Sequence, residues 1–203
     1  MTDAAGSDAT GSDAAGTDAA GTADAAGTDA VAGAIARVRE LVARVAEELR
    51  AAGARQETLA EFVPGRRVLG IPRAARMTPV GRVWRLGVLL VDDRGGLYAT
   101  GRVVRAERSA RKSVTAESVA QQRAFRAAAV KGGIAEGETV DFDATAVDFD
   151  ELGRDGASGP LVLDATTGVV LVRWSPTQPD ALTPLDAYLR DRAELLAHPP
   201  EGA

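Results

Sequence analysis

The sequence has no cysteine and no asparagine, one histidine, two lysines and eight aromatic residues in 203. Without cysteine there is no disulfide framework, no thiolate metal site and no cysteine nucleophile. The single histidine, His198, lies in the closing stretch "AHPPEGA", where neither a catalytic triad nor a metal cluster is easily held rigid. No apolar run approaches the roughly 20 residues that span a bilayer. No basic segment followed by an apolar one occurs near residue 1, so a signal peptide is not expected and the cytoplasm is the expected compartment. No G-x-x-x-x-G-K loop is present, and no strand leads into G-x-G-x-x-G, so no nucleotide cofactor is expected.

What is present is alanine and arginine. Ala supplies 41 residues, and Arg outnumbers Lys 22 to two. That bias fits GC-rich codons, and it discounts arginine counts as evidence of selection. Residues 4–29 repeat a pentad of the AAGTD type, with no large apolar side chain before Val31. Such a segment buries too little surface to offset its ordering entropy, so residues 1–30 read as a disordered tail. Residues 31–203 then form one α+β domain.

Charge is segregated along that domain. Residues 64–131 hold 15 bases and four acids, whereas 132–203 hold four bases and 14 acids. The tail adds six aspartates and no base. Opposed territories of this kind predict either pairing within the chain or contact between chains.

Hydrophobic spacing at Ile35, Val38, Val42, Val45 and Leu49 predicts a helix ending near Gly53. A short second helix is expected over "RQETLAEFV". The segments 80–91 and 97–105 flank "DDRGG", and "PLVLDATTGVVLVRW" turns at "DATTG"; both read as hairpins. A helix follows Thr115, and another follows a Thr183 cap. "ETVDFDATAV" alternates apolar and acidic residues, as a strand with one wet face does. The expected fold is α+β, with a mostly antiparallel sheet built from two hairpins and about four helices.

Three groups of residues are chemical candidates. The acids of "DFD" at 141–143 and 148–150 are spaced like carboxylate pairs but also like a solvated strand face. Ser109 and Lys112 spell S-x-x-K, a nucleophile and its base one helical turn apart. Arg102, Arg105, Arg108 and Arg111 recur every third residue and form a candidate anion-binding comb. Arg66, Arg67, Arg73 and Arg76 add charge to it, and Tyr98 and Phe125 offer rings for stacking.

The stretch "EFVPGRRVLGIPRAARMTPVGRVWRLGVLLVDDRGGLYATGRVVRAE", with "GETVDFDA" and "LVRWSPTQPDALTPLDAYL", resembles a small actinobacterial family sometimes named glutaminase. The resemblance covers about residues 35–203 and implies hydrolysis of the glutamine amide, with Ser109 and Lys112 matching the S-x-x-K pair of serine-dependent glutaminases. Taken with the segregated charge, the residues themselves favour a non-enzymatic protein-interaction module whose partner is a second copy or another protein. Two alternatives stand beside it: a glutaminase-like hydrolase, and a nucleic-acid or phosphate-binding module acting through residues 64–131. A membrane partner is not expected.

Overall fold

In the computed structural model, residues 18–68, 70–108, 117–175 and 177–200 are described, with side chains from residue 27 onward except that of Val68. The fold is α+β, with four helices and mostly antiparallel sheets among these residues. Helix α1 spans Asp18–Ala51 and starts inside the pentads, well before Val31. Alanine is the best helix former, and extending a helix already held by packing is cheap. Residues 18–30, expected to belong to the tail, therefore continue α1; Gly27–Ala30 are exposed, and burial begins at Ala34 and Ile35. Residues 1–17 lie outside the described residues.

"ETLAEFV" is a strand rather than the second helix expected. β1 (Glu57–Val63) pairs antiparallel with β4 (Arg76–Leu86) and parallel with β8 (Thr139–Phe142). Its tertiary neighbours on both sides override a local pattern that also suits a helix. Between β1 and β4, the short strands β2 (Arg66–Val68) and β3 (Ile71–Arg73) form a separate two-stranded arm.

The run 80–91, expected as one strand, folds back on itself at Gly87-Val88. Leu86 pairs with Leu89 of β5 (Leu89–Asp92) across this two-residue turn. Gly87 has φ +67°, which a side chain would strain. The Val88 N–H donates to the Tyr188 hydroxyl, which pins the turn to the C-terminal helix. The hairpin across "DDRGG" is present as β5 with β6 (Leu97–Ala99). Residues 97–105 then break again, at Thr100-Gly101, before β7 (Arg102–Arg105).

These strands and β9 (Thr145–Ala146) make a seven-stranded sheet in the order β7-β8-β1-β4-β5-β6-β9. β8 is second in that order and β9 seventh, yet only Asp143 and Ala144 join them. If the sheet were flat, five strand spacings would separate them by roughly 24 Å. Three Cα–Cα steps reach about 11 Å at most. The link from β6, sixth in order, to β7, first, imposes the same limit. The sheet therefore curls into an incomplete barrel, and its two short links touch where Gly101 meets the Phe142 and Asp143 carbonyls.

Side-chain parity along the paired strands assigns the two faces. Leu59, Val83 and Leu90, with Tyr98 and Ala144, form a small inner cluster. Trp84, Leu86, Leu89, Val91 and Leu97 face outward into the main core. They meet α1, the C-terminal helix α4 (Leu185–Ala197) and the second sheet. That sheet has the order β10 (Ala157–Ser158), β11 (Leu161–Asp164), β12 (Val169–Arg173), β13 (Leu182–Pro184), and it contains the expected "DATTG" hairpin. Helix α2 (Glu117–Lys131) covers the rest of the outer face, packing Phe125, Ala128 and Ala129 over Ala60, Met77, Val140 and Phe142. Its expected cap, Thr115, lies outside the described residues.

Three further expectations are corrected. Asp141 is wholly buried between Val140 and Phe142, because the curl encloses the face expected to be wet. The second "DFD" is not a strand: Asp148 is the N-cap of α3 (Phe149–Asp155) and accepts from the Asp150 and Glu151 N–H groups. Those two bonds hold its carboxyl below the usual range. Thr183 lies in β13, and α4 begins after Pro184 with no side-chain cap.

The closure depends on a glycine. Gly101→Ala places a Cβ against two backbone carbonyls, and a loss of about 1–3 kcal/mol is expected from overpacking. Gly81→Ala, with nothing within 4 Å of its Cβ, is expected to stay within about 0.5 kcal/mol of wild type. Urea unfolding of the two variants checks the difference.

Candidate functional site

Ser109, Arg111 and Lys112 fall in 109–116, outside the described residues. The rest of the comb does not form one patch. Arg102 pairs with Phe142 and Arg105 with Thr139 in the β7–β8 ladder, so their odd spacing sends them to opposite faces. The Arg102 guanidinium lies 5.3 Å from the Phe125 ring centre and 3.7 Å from Asp143. Arg108 approaches Glu136 at 3.5 Å, and its backbone N–H donates to the same carboxylate.

The basic and acidic territories meet within the chain. Arg82 joins Glu138, Arg85 joins Asp141, Arg102 joins Asp143 and Arg108 joins Glu136. All four acids lie on β8 or at its ends. β8 enters the sheet between β7 and β1, which brings the acidic stretch beside the basic β7 and one strand away from β4. The exposed pairs contribute little each, because water screens them.

One pair differs. The Asp141 side chain is fully buried, and one of its oxygens accepts from Arg85, which also donates to Glu57 at 2.9 Å. The other oxygen, Oδ2, meets no donor among the described residues. Arg85, Glu57 and Asp141 share the inner face of the curled sheet. A buried carboxylate held by one arginine depends heavily on that partner, since its desolvation is otherwise uncompensated.

Both expected stacking rings are engaged within the fold. Phe125 is packed against Phe62 and Phe142 at 5.0 Å each. Tyr98 points to the inner side, where its hydroxyl donates to Asp92. Burial first, and then that carboxylate, push its pKa up.

The surface that remains basic is the arm. Arg66 and Arg73 are cross-strand partners, Arg67 faces Pro72, and Val68 faces Ile71 across the Gly70 turn. Arg66, Arg67, Arg73 and Arg76 are all exposed, and none has an acid within ion-pair distance among the described residues. Between Glu61 and Asp92 the sequence holds no acidic residue at all. Ile71, at 67% exposure, is the most exposed large apolar side chain among the described residues. The four arginines were legible as charge, but the gathering of three of them on one hairpin with the fourth at its base was not. The mirror-like "RRVLGIPR", with Gly70 at its centre, was the available signal.

A cleft of about 470 Å³ between α1, the β11–β12 turn and the start of α4 is lined by charges of both signs, Arg37, Glu40, Arg44 and Asp186 among them. No cluster of three or more potential metal ligands occurs among the described residues. No described helix is long and apolar enough to cross a membrane. No family model, curated protein or solved structure matches the chain.

Removing Arg85 tests the buried pair. Arg85→Met is expected to cost about 3–5 kcal/mol by leaving Asp141 buried without a counter-charge. Adding Asp141→Leu is expected to recover most of that loss. A double-mutant cycle in urea measures the coupling.

Proposed function

We propose that this chain is a binding module rather than an enzyme, and that it grips an acidic macromolecule through the β2–β3 arm. The observation that carries this reading is the contrast between arm and body. In the body, Arg82 and Arg85 of β4 and Arg102 of β7 find carboxylates on and around β8. The arm keeps three arginines, with Arg76 a fourth at its base, without acidic partners among the described residues, and it sets Arg66 directly opposite Arg73. Like charges in that register destabilise a hairpin, and an isolated two-stranded ribbon is marginal in water. An anion laid across the arm relieves the repulsion and orders the ribbon. Because the opposed territories are matched inside one chain, those charges are less available to hold a second copy, which favours an acidic partner over homotypic contact.

Heparin, a polyanion without base sequence, serves as the probe. The full chain is expected to be retained on heparin at low ionic strength. Arg66→Glu combined with Arg73→Glu is expected to elute at lower salt, whereas Arg190→Glu, on the solvent side of α4, changes little. Passage of the wild type without retention overturns the reading. The glutaminase alternative rests on Ser109 as nucleophile and Lys112 as base. Ammonia release from glutamine that vanishes in a folded Ser109→Ala variant would replace binding by hydrolysis.

A further inference from the structure

We infer that the arm's partner is duplex DNA, with the ribbon seated in the major groove. This rests on the binding reading above and adds the shape of the ligand to its charge. Two strands about 4.8 Å apart, with the backbone's own thickness on either edge, make a ribbon roughly 10 Å wide. The major groove of B-form DNA, about 12 Å wide, admits such a ribbon, and the minor groove, about 6 Å wide, does not. The major groove of duplex RNA is deep and too narrow for side chains to read.

The two faces of the arm divide the work. Arg66 and Arg73 are directly paired, and Ile71, two residues from Arg73, shares their face. That face offers two guanidinium forks, suited to guanine O6 and N7, and one apolar group suited to a thymine methyl. Arg67 is on the opposite face with Pro72, and Arg76 stands at the base where the arm joins β4. These two are placed for the phosphates that flank the groove. All four arginines and Ile71 are exposed, so the surface needs no unfolding to engage. An acidic protein would satisfy the charge and bury Ile71, but it gives no role to the ribbon's width.

Fluorescence anisotropy of the full chain with a short mixed-sequence DNA duplex, the matching RNA duplex and polyglutamate decides between these ligands. DNA is expected to bind most tightly, with affinity falling steeply as salt rises. Arg67→Gln with Arg76→Gln is expected to flatten the log–log salt dependence by about 1.8, at 0.9 for each phosphate no longer neutralised. Arg66→Gln with Arg73→Gln is expected to weaken binding at least tenfold at fixed salt. Circular dichroism of each variant confirms that the body stays folded. Equal affinity for DNA and RNA duplexes overturns the groove assignment, and tighter binding of polyglutamate overturns the choice of nucleic acid. Heparin retention without any DNA binding at low salt overturns the DNA inference and leaves the binding reading standing.

Discussion

Thr100-Gly101 and Asp143-Ala144 each carry the chain between strands that lie five places apart in a seven-stranded sheet. A flat sheet cannot satisfy either link, because two residues do not span the roughly 24 Å involved. Much of the architecture follows from that limit. Curling gives the sheet a tight inner face, filled by Leu59, Val83 and Leu90, and a broad outer face. The outer face is large enough for three helices. α1 and α4 lie over the Trp84 end, and α2 lies over Phe142. Gly101 is where the two links meet, so a side chain there strains the closure.

The same curl decides the electrostatics. β8 passes between β7 and β1, and it carries its acids within reach of the arginines of β7 and of β4, one strand beyond β1. On the outside these contacts are exposed ion pairs of small individual worth. On the inside, Asp141 is shut off from water and depends on Arg85, which Glu57 helps to hold. A buried charge of this kind adds little stability against an apolar replacement, but it penalises any register that separates the partners. β8 is the one parallel neighbour of β1, and its pairing covers only three residues of that strand, so a charge that punishes slippage has a clear use there.

The arm is the exception to this matching. It extends the β1–β4 pair beyond the curled sheet, where no acidic strand reaches it. Its described side chains are exposed on both faces, and its two short strands hold repelling arginines in register. A segment that contributes so little to its own stability is suited to being completed by a partner.

Several features were determined by the sequence alone. The apolar stripe of α1 and the "DDRGG" and "DATTG" turns rest on periodicity and turn chemistry, which are local. So does the antiparallel bias, because hairpins join strands through short loops. The opposed charge territories were equally plain. Local pattern could not show that "ETLAEFV" is a central strand, since an amphipathic seven-residue stretch suits helix and strand alike until its neighbours are known. It could not show that Gly87 and Gly101 split long apolar runs, because a glycine inside a strand pattern can mark a bulge as readily as a turn. Nor could it show that Asp141 is buried while Arg66 and Arg73 are left open. Burial depends on which strands lie beside a residue, and strand order is set by the closure of the sheet. Composition fixed how much charge the chain carries, and the curl of the sheet decided which charges are consumed inside it and which face outward.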